Sequence, residues 1–145
     1  MDGTRQQAFQ MLAPKDLISH WLQSVVDQII SQIELWALLV MSWQFRHDLC
    51  GRRVIAWIDN EAARACAIKA NSASSTMKVM SRILADIEVQ FPNMSWYERV
   101  CSFANPSDLP SRGKFHEAAV EYGISNGGSL EADRQLVDEV IRLSL

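Results

Sequence analysis

The sequence predicts an α/β fold in which parallel strands alternate with helices. Two short stretches rich in β-branched and aromatic residues, RRVIAWID (52–59) and MSWYERVCSF (94–103), are predicted to be strands. Helical patterns precede the first stretch, fill the interval between the two and follow the second. Because that interval is long enough for a crossover, we expect strands 54–58 and 96–101 to be parallel neighbours.

Composition narrows the class of protein. With 145 residues the chain is long enough for one domain with a real core. A net charge of −3 means that any nucleic-acid binding must come from a local basic patch. Three cysteines without a C-x-x-C pair argue against a disulfide framework or a zinc site. The N-terminus lacks the apolar segment of a signal peptide, and no apolar run is long enough to span a membrane. We therefore expect an intracellular protein, cytoplasmic or nuclear, without a membrane partner.

The first long helix is predicted over residues 29–49, with Gly51 closing it. Its apolar stripe is formed by Ile30, Ala37, Leu38, Met41 and Phe45. Leu35, Leu39 and Trp43 widen this stripe, so we expect the helix to be covered on more than one side. Glu34 falls on this stripe, where a carboxylate is costly unless it is paired or bound to a metal. The alternative is that the edge of the stripe is exposed and Glu34 points to water.

The strand that follows is apolar on both faces, which predicts a central strand covered by helices on each side. Asp59 stands at its carboxyl end, where ligand sites gather in α/β sheets. Asn60 is the predicted N-cap of the next helix, although Asp59 could cap that helix instead. A further helix is predicted over residues 76–91.

The segment SFANPSDLPSRG (102–113) is predicted to be a loop stiffened by two prolines, and it contains Asp108 and Arg112. Asp108 could form a turn bond to nearby backbone, or it could point into a site. A short helix near residues 117–122, a flexible hinge at SNGGS (125–129) and an amphipathic helix over residues 130–145 follow. The last helix is expected to turn Leu136, Val137, Val140 and Ile141 inward. The carboxylates of Glu34, Asp59 and Asp108 could converge on one divalent cation, because Mg²⁺ prefers carboxylate oxygens.

Three segments resemble, in order, the blocks of ribonuclease H domains from retroelement reverse transcriptase polyproteins. They are QIISQIELWALL, GRRVIAWIDNEAA and WYERVCSFANPSDLPSRG. The last is the most specific, with its pattern W-x-x-R-V-x-S-x-x-N-P-x-D-x-P-S-R. The resemblance covers roughly residues 28–113 and implies a ribonuclease H-like core over residues 28–122. Residues 1–27 would then be an N-terminal extension with a partial strand, and residues 123–145 a hinge with a C-terminal helix.

The resemblance implies a two-Mg²⁺ nuclease that cuts the RNA strand of an RNA–DNA hybrid. It assigns Glu34, Asp59 and Asp108 as metal ligands and catalytic carboxylates. Asn60, Asn105 and Arg112 are its candidate substrate contacts, although Arg112 could instead form a structural ion pair. The implied partners are the hybrid, or another nucleic acid, and the rest of a reverse transcriptase polyprotein.

The sequence departs from this family at its start. The family's first aspartate lies in an antiparallel three-stranded meander before the glutamate helix, and none of Asp2, Asp16 and Asp27 follows a comparable apolar strand. We therefore expect a domain that lacks most of the meander and has impaired metal-dependent hydrolysis. The alternatives are a non-catalytic remnant that binds nucleic acid, and a protein-interaction module that uses the exposed edge of the central strand.

Overall fold

The computed structural model describes residues 6–24 and 29–145, which form a mixed α/β structure. Their four strands pair as two small parallel sheets. Asp2 and Asp27 lie outside the described residues. The elements in chain order are β1 (Gln7–Gln10), α1 (Lys15–Ser24), α2 (Ile30–Gln44), α3 (Arg46–Leu49), β2 (Arg53–Ile58), α4 (Glu61–Lys69), α5 (Ser75–Gln90), β3 (Met94–Arg99), α6 (Asp108–Ser111), α7 (Phe115–Tyr122), β4 (Ser125–Ser129) and α8 (Arg134–Leu143).

The chain divides into two compact units. The larger contains residues 13–100 and 133–145. The smaller contains residues 101–132 together with the N-terminal segment up to residue 12.

The larger unit is built around the parallel pair of β2 and β3. The register runs from Arg53 opposite Met94 to Ile58 opposite Arg99, and α4 and α5 form the crossover between the strands. This arrangement confirms the predicted parallel neighbours. A crossover of this kind is what parallel strands require, because a tight turn cannot join them.

Among residues 6–24 and 29–145, only one face of this pair is covered. Val54, Ala56 and Ile58 are partly or fully buried, whereas the alternate side chains are exposed. The prediction of helices on both sides of the central strand is therefore wrong for the described residues. The exposed side, which we call the open face, consists of Arg53, Ile55 and Trp57 of β2 and Met94, Trp96 and Glu98 of β3.

Helix α2 buries the side that carries Leu35 and Leu39 of the widened stripe, and it leaves part of the original stripe exposed. Its buried residues are Gln32, Leu35, Trp36, Leu39 and Val40. Ile30 and Met41, which belong to the predicted stripe, are 52% and 42% exposed. At about 100° per residue, the two sets lie on nearly opposite sides of the helix. Because α2 is apolar on almost every side, its periodicity does not select the face that packs.

The end of this helical segment follows the prediction more closely. The helix breaks at Phe45 and continues for one turn as α3. Gly51 then adopts a φ of +75°, the left-handed conformation expected of the glycine that ends a helix.

Helices α1, α2, α5 and α8 supply most of the remaining core of the larger unit. Trp21 of α1 and Trp36 of α2 meet edge to face, with ring centroids 6.5 Å apart. The predicted C-terminal amphipathic helix is confirmed as α8, which buries Leu136, Val137 and Val140. Its N-cap Asp133 accepts a hydrogen bond from the Trp43 indole N–H at 2.9 Å, so the cap also joins α8 to α2.

The smaller unit contains the second parallel pair, β1 and β4. The segment 125–129, predicted to be a flexible hinge, is instead strand β4, with Ser125 opposite Gln7. A Cβ atom on Gly127 would lie 2.5 Å from the Phe9 ring, so glycine allows the close approach of the two strands. The glycines of this segment thus serve packing as well as backbone freedom.

The proline-containing segment that was predicted to be a loop also differs from expectation. Residues 102–104 form a 3₁₀ turn, and residues 108–111 form the short helix α6. Helix α7 then ends at Gly123, whose φ is +67°. Within the described ranges, no helix combines the length and the apolar character needed to cross a bilayer.

Candidate carboxylate site

Glu34 and Asp59 are brought together in the larger unit. Glu34 lies in the middle of α2 and is half-buried, and Asp59 directly follows β2 at its carboxyl end. Burial raises the pKa of the Glu34 carboxyl above its usual value, and the nearby Asp59 charge raises it further. Two carboxylates therefore share one region in which ionisation of Glu34 is unfavourable. A divalent cation placed between them would remove that unfavourable interaction.

Asn60 has a structural role beside this pair. Its side-chain oxygen accepts a hydrogen bond from the Ala63 amide at 2.9 Å, which makes it the N-cap of α4. The predicted cap is confirmed, so Asp59 is not needed for capping. The carboxylate of Asp59 is thereby placed one residue before the positive end of the α4 dipole.

Arg64 is a charged residue at this end of the sheet that the sequence interpretation passed over. It lies on α4, one turn after Asn60, and its Nε donates to the Tyr97 carbonyl at 3.0 Å. Its guanidinium also meets Glu61 at 3.1 Å and Glu98 at 3.9 Å. The i, i+3 spacing from Glu61 was a signal for the first ion pair, but the contacts to β3 depend on tertiary packing.

Asp108 and Arg112 belong to the smaller unit and form an ion pair there. The Arg112 Nε donates to the Asp108 carboxylate at 3.2 Å, across one turn of α6. Both side chains are substantially exposed, at 44% for Asp108 and 67% for Arg112. The structural alternative considered for Arg112 is thus the arrangement observed. An exposed pair of this kind contributes little to stability.

Asn105 forms the turn that leads into α6. Its side-chain oxygen accepts from the Ser107 amide at 3.0 Å, and its carbonyl accepts from the Asp108 amide at 3.1 Å. The turn bond considered for Asp108 is therefore made by Asn105. Together these contacts set the backbone position of Asp108 within the smaller unit.

Metal binding stays a prediction. Among residues 6–24 and 29–145, no group of three or more His, Cys, Asp or Glu side chains is arranged to hold a metal ion. Glu34 and Asp59 lie in the larger unit and Asp108 in the smaller. Asp16, one of the three aspartates weighed as a further ligand, lies in the first turn of α1 and pairs with Arg134 at 2.5 Å. That contact lowers the pKa of the Asp16 carboxyl.

Comparison with protein-family models, with curated proteins and with solved structures gives no match for this chain.

Proposed function

We propose that this chain is a ribonuclease H-like domain of a retroelement polyprotein that binds RNA–DNA hybrids and holds one divalent cation weakly. The observation that carries the proposal is that the half-buried Glu34 lies near enough to Asp59, at the carboxyl end of a parallel strand, to feel its charge. The sequence blocks described above supply the family and the substrate class. The pair supplies hard oxygen ligands of the type that Mg²⁺ takes while keeping several waters.

Cleavage of the RNA strand is expected to be weak or absent. Two-metal hydrolysis needs carboxylates that clamp both ions, so that the attacking and leaving oxygens are held in line. Glu34 and Asp59 would supply two ligands, and Asp108 forms an ion pair with Arg112. Loss of a bridging ligand removes several kcal/mol of transition-state stabilisation, and each ~1.36 kcal/mol is about tenfold in rate.

Cation binding and cleavage are tested separately. We expect Mg²⁺ or Mn²⁺ at millimolar concentration to raise the unfolding temperature of the wild-type chain, because an ion that binds only the folded state stabilises it. Glu34→Gln and Asp59→Asn should each abolish that increase. The matched control is Asp86→Asn, which changes an exposed carboxylate on α5 and should respond as wild type does.

Hybrid binding and cleavage are followed with an end-labelled RNA–DNA hybrid. We expect salt-sensitive binding and little RNA product in Mg²⁺. A cation effect that survives both site substitutions would contradict the site. Robust cleavage that disappears in Asp108→Asn would contradict the impaired mechanism, because it would show that Asp108 completes an active metal centre.

A second candidate function is a non-catalytic interaction module. The open face favours it, since parallel sheets are ordinarily covered on both faces, whereas the described part of the chain covers this pair on one face. Such a module would associate with a protein partner or with itself in a manner indifferent to Mg²⁺. Association measured with and without the cation separates it from the nuclease-derived role.

A further inference from the structure

The open face carries an apolar patch formed by four exposed side chains. Ile55 and Trp57 are 60% and 59% exposed, and Met94 and Trp96 are 70% and 65% exposed. At such exposures the four side chains present on the order of 500–600 Å² of surface, the upper range for the largest patch on a monomeric protein. A patch of this size usually marks an interaction site.

The charged side chains at the two ends of this face have opposite signs. Arg53 stands at the amino end of β2, opposite Met94, and Glu98 stands at the carboxyl end of β3, opposite Trp57. Arg53 is exposed and forms no ion pair within the part of the chain that the structure describes. The Trp96 indole N–H donates to Glu98 at 3.2 Å, which holds that carboxylate beside the apolar patch. Glu98 also lies 3.9 Å from the Arg64 guanidinium of its own chain, and its side chain stays 39% exposed.

A second copy of the same face complements this pattern. Consider two copies packed face to face, related by a two-fold axis that lies between the two sheets, runs perpendicular to the strands and passes at the level of Ile55 and Trp96. The amino end of each face then lies over the carboxyl end of the other. The register then places Arg53 of one copy over Trp57 of the second copy and diagonally next to its Glu98. Packed sheets are about 10 Å apart, a gap that an arginine and a glutamate can bridge together. Because the axis is two-fold, each of these contacts occurs twice in the dimer.

We propose that this chain forms a two-fold symmetric homodimer through the open face. The four apolar side chains are its centre, and Arg53 of each copy reaches Trp57 and Glu98 of the other. With Arg53 and Glu98 included, each copy buries roughly 600–700 Å², which is the low end for specific interfaces. The dimer is accordingly weak and reversible, with a Kd on the order of 10 µM. It requires neither metal nor nucleic acid.

The test is sedimentation equilibrium of the full chain from about 1 to 300 µM, a range that brackets the expected Kd. A reductant is present because Cys50 and Cys101 are exposed. We expect a reversible monomer–dimer equilibrium, and Trp96→Glu should leave only monomer. The matched control is Val89→Glu, which changes a 76% exposed apolar residue on α5 and should leave the Kd unchanged.

Variants that exchange the charges of Arg53 and Glu98 provide a second test in case Trp96→Glu fails to fold. Arg53→Glu and Glu98→Arg should each raise the Kd about tenfold, because each places like charges together across the interface. The double variant restores opposite charges across the interface and should bind more tightly than either single variant, although it also places an arginine beside Arg64 of its own chain. Monomer at all concentrations, or single variants with wild-type Kd, would overturn the proposal. So would a double variant no tighter than either single one.

Discussion

Replacing Asn60 by alanine removes the N-cap of the helix that begins directly after Asp59. The lost interaction is the 2.9 Å hydrogen bond from the Ala63 amide. Ala63 is fully buried, so its amide has poor access to replacement water. Loss of a cap typically lowers the free energy of unfolding by about 1 kcal/mol. Because the Ala63 amide would be left without a partner, we expect Asn60→Ala to lower it by about 1–1.5 kcal/mol.

The measurement is denaturant and thermal unfolding of Asn60→Ala beside Asn60→Ser. Serine restores a capping oxygen, so we expect wild-type stability for that variant. For a chain of this length, 1 kcal/mol lowers the unfolding temperature by about 2–4 °C. Equal stability of the wild type and Asn60→Ala would refute the capping role. Equal losses in the alanine and serine variants would refute the hydrogen-bond explanation.

The serine variant also isolates the second role considered for Asn60, which is contact with a nucleic-acid substrate. Because Asn60→Ser leaves the helix start intact, its affinity for an RNA–DNA hybrid is free of the stability effect. Reduced affinity in this variant, measured by fluorescence anisotropy at fixed salt, would therefore report a direct contact. Unchanged affinity would show that Asn60 acts as a helix cap and does not contact the hybrid.

Three other substitutions test the remaining structural conclusions. Leu39→Ala removes a fully buried side chain and should lower the free energy of unfolding by about 2–5 kcal/mol, whereas Met41→Ala on the exposed side should change it by less than about 1 kcal/mol. A larger loss in Met41→Ala than in Leu39→Ala would show that the side of α2 with Met41 is the packed one. Glu34→Gln should stabilise the protein above pH 4.5 but not below it. The pKa of Glu34 is raised in the folded state, so the wild type loses stability as pH rises from 4.5 through that pKa, and the glutamine variant does not. A difference in unfolding free energy that does not change with pH would contradict this. Gly127→Ala should weaken the β1–β4 pairing by about 1–2 kcal/mol, because the added methyl group would clash with the Phe9 ring. Unchanged amide hydrogen exchange in β4 would instead favour the prediction that residues 125–129 are a flexible hinge.

The sequence by itself determined the features that depend on local chemistry. The helix start at Asn60, the left-handed glycine at position 51 and the buried face of α8 all follow from short-range rules of capping and periodicity. The parallel pair of strands also followed, because the length of chain between β2 and β3 allows a crossover and excludes a tight hairpin.

Only the tertiary structure decided the features for which local pattern is ambiguous. Helix α2 is apolar on nearly every side, so packing against α4 and α5 chose its buried face. Residues 125–129 have little strand propensity of their own, and they pair because β1 offers a backbone partner and Gly127 admits the Phe9 ring. Ile55 and Trp57 resemble core residues in sequence, yet they are exposed. The proximity of Glu34 to Asp59 is decided in the same way, because 24 intervening residues separate them in the chain and only packing sets the distance between their charges.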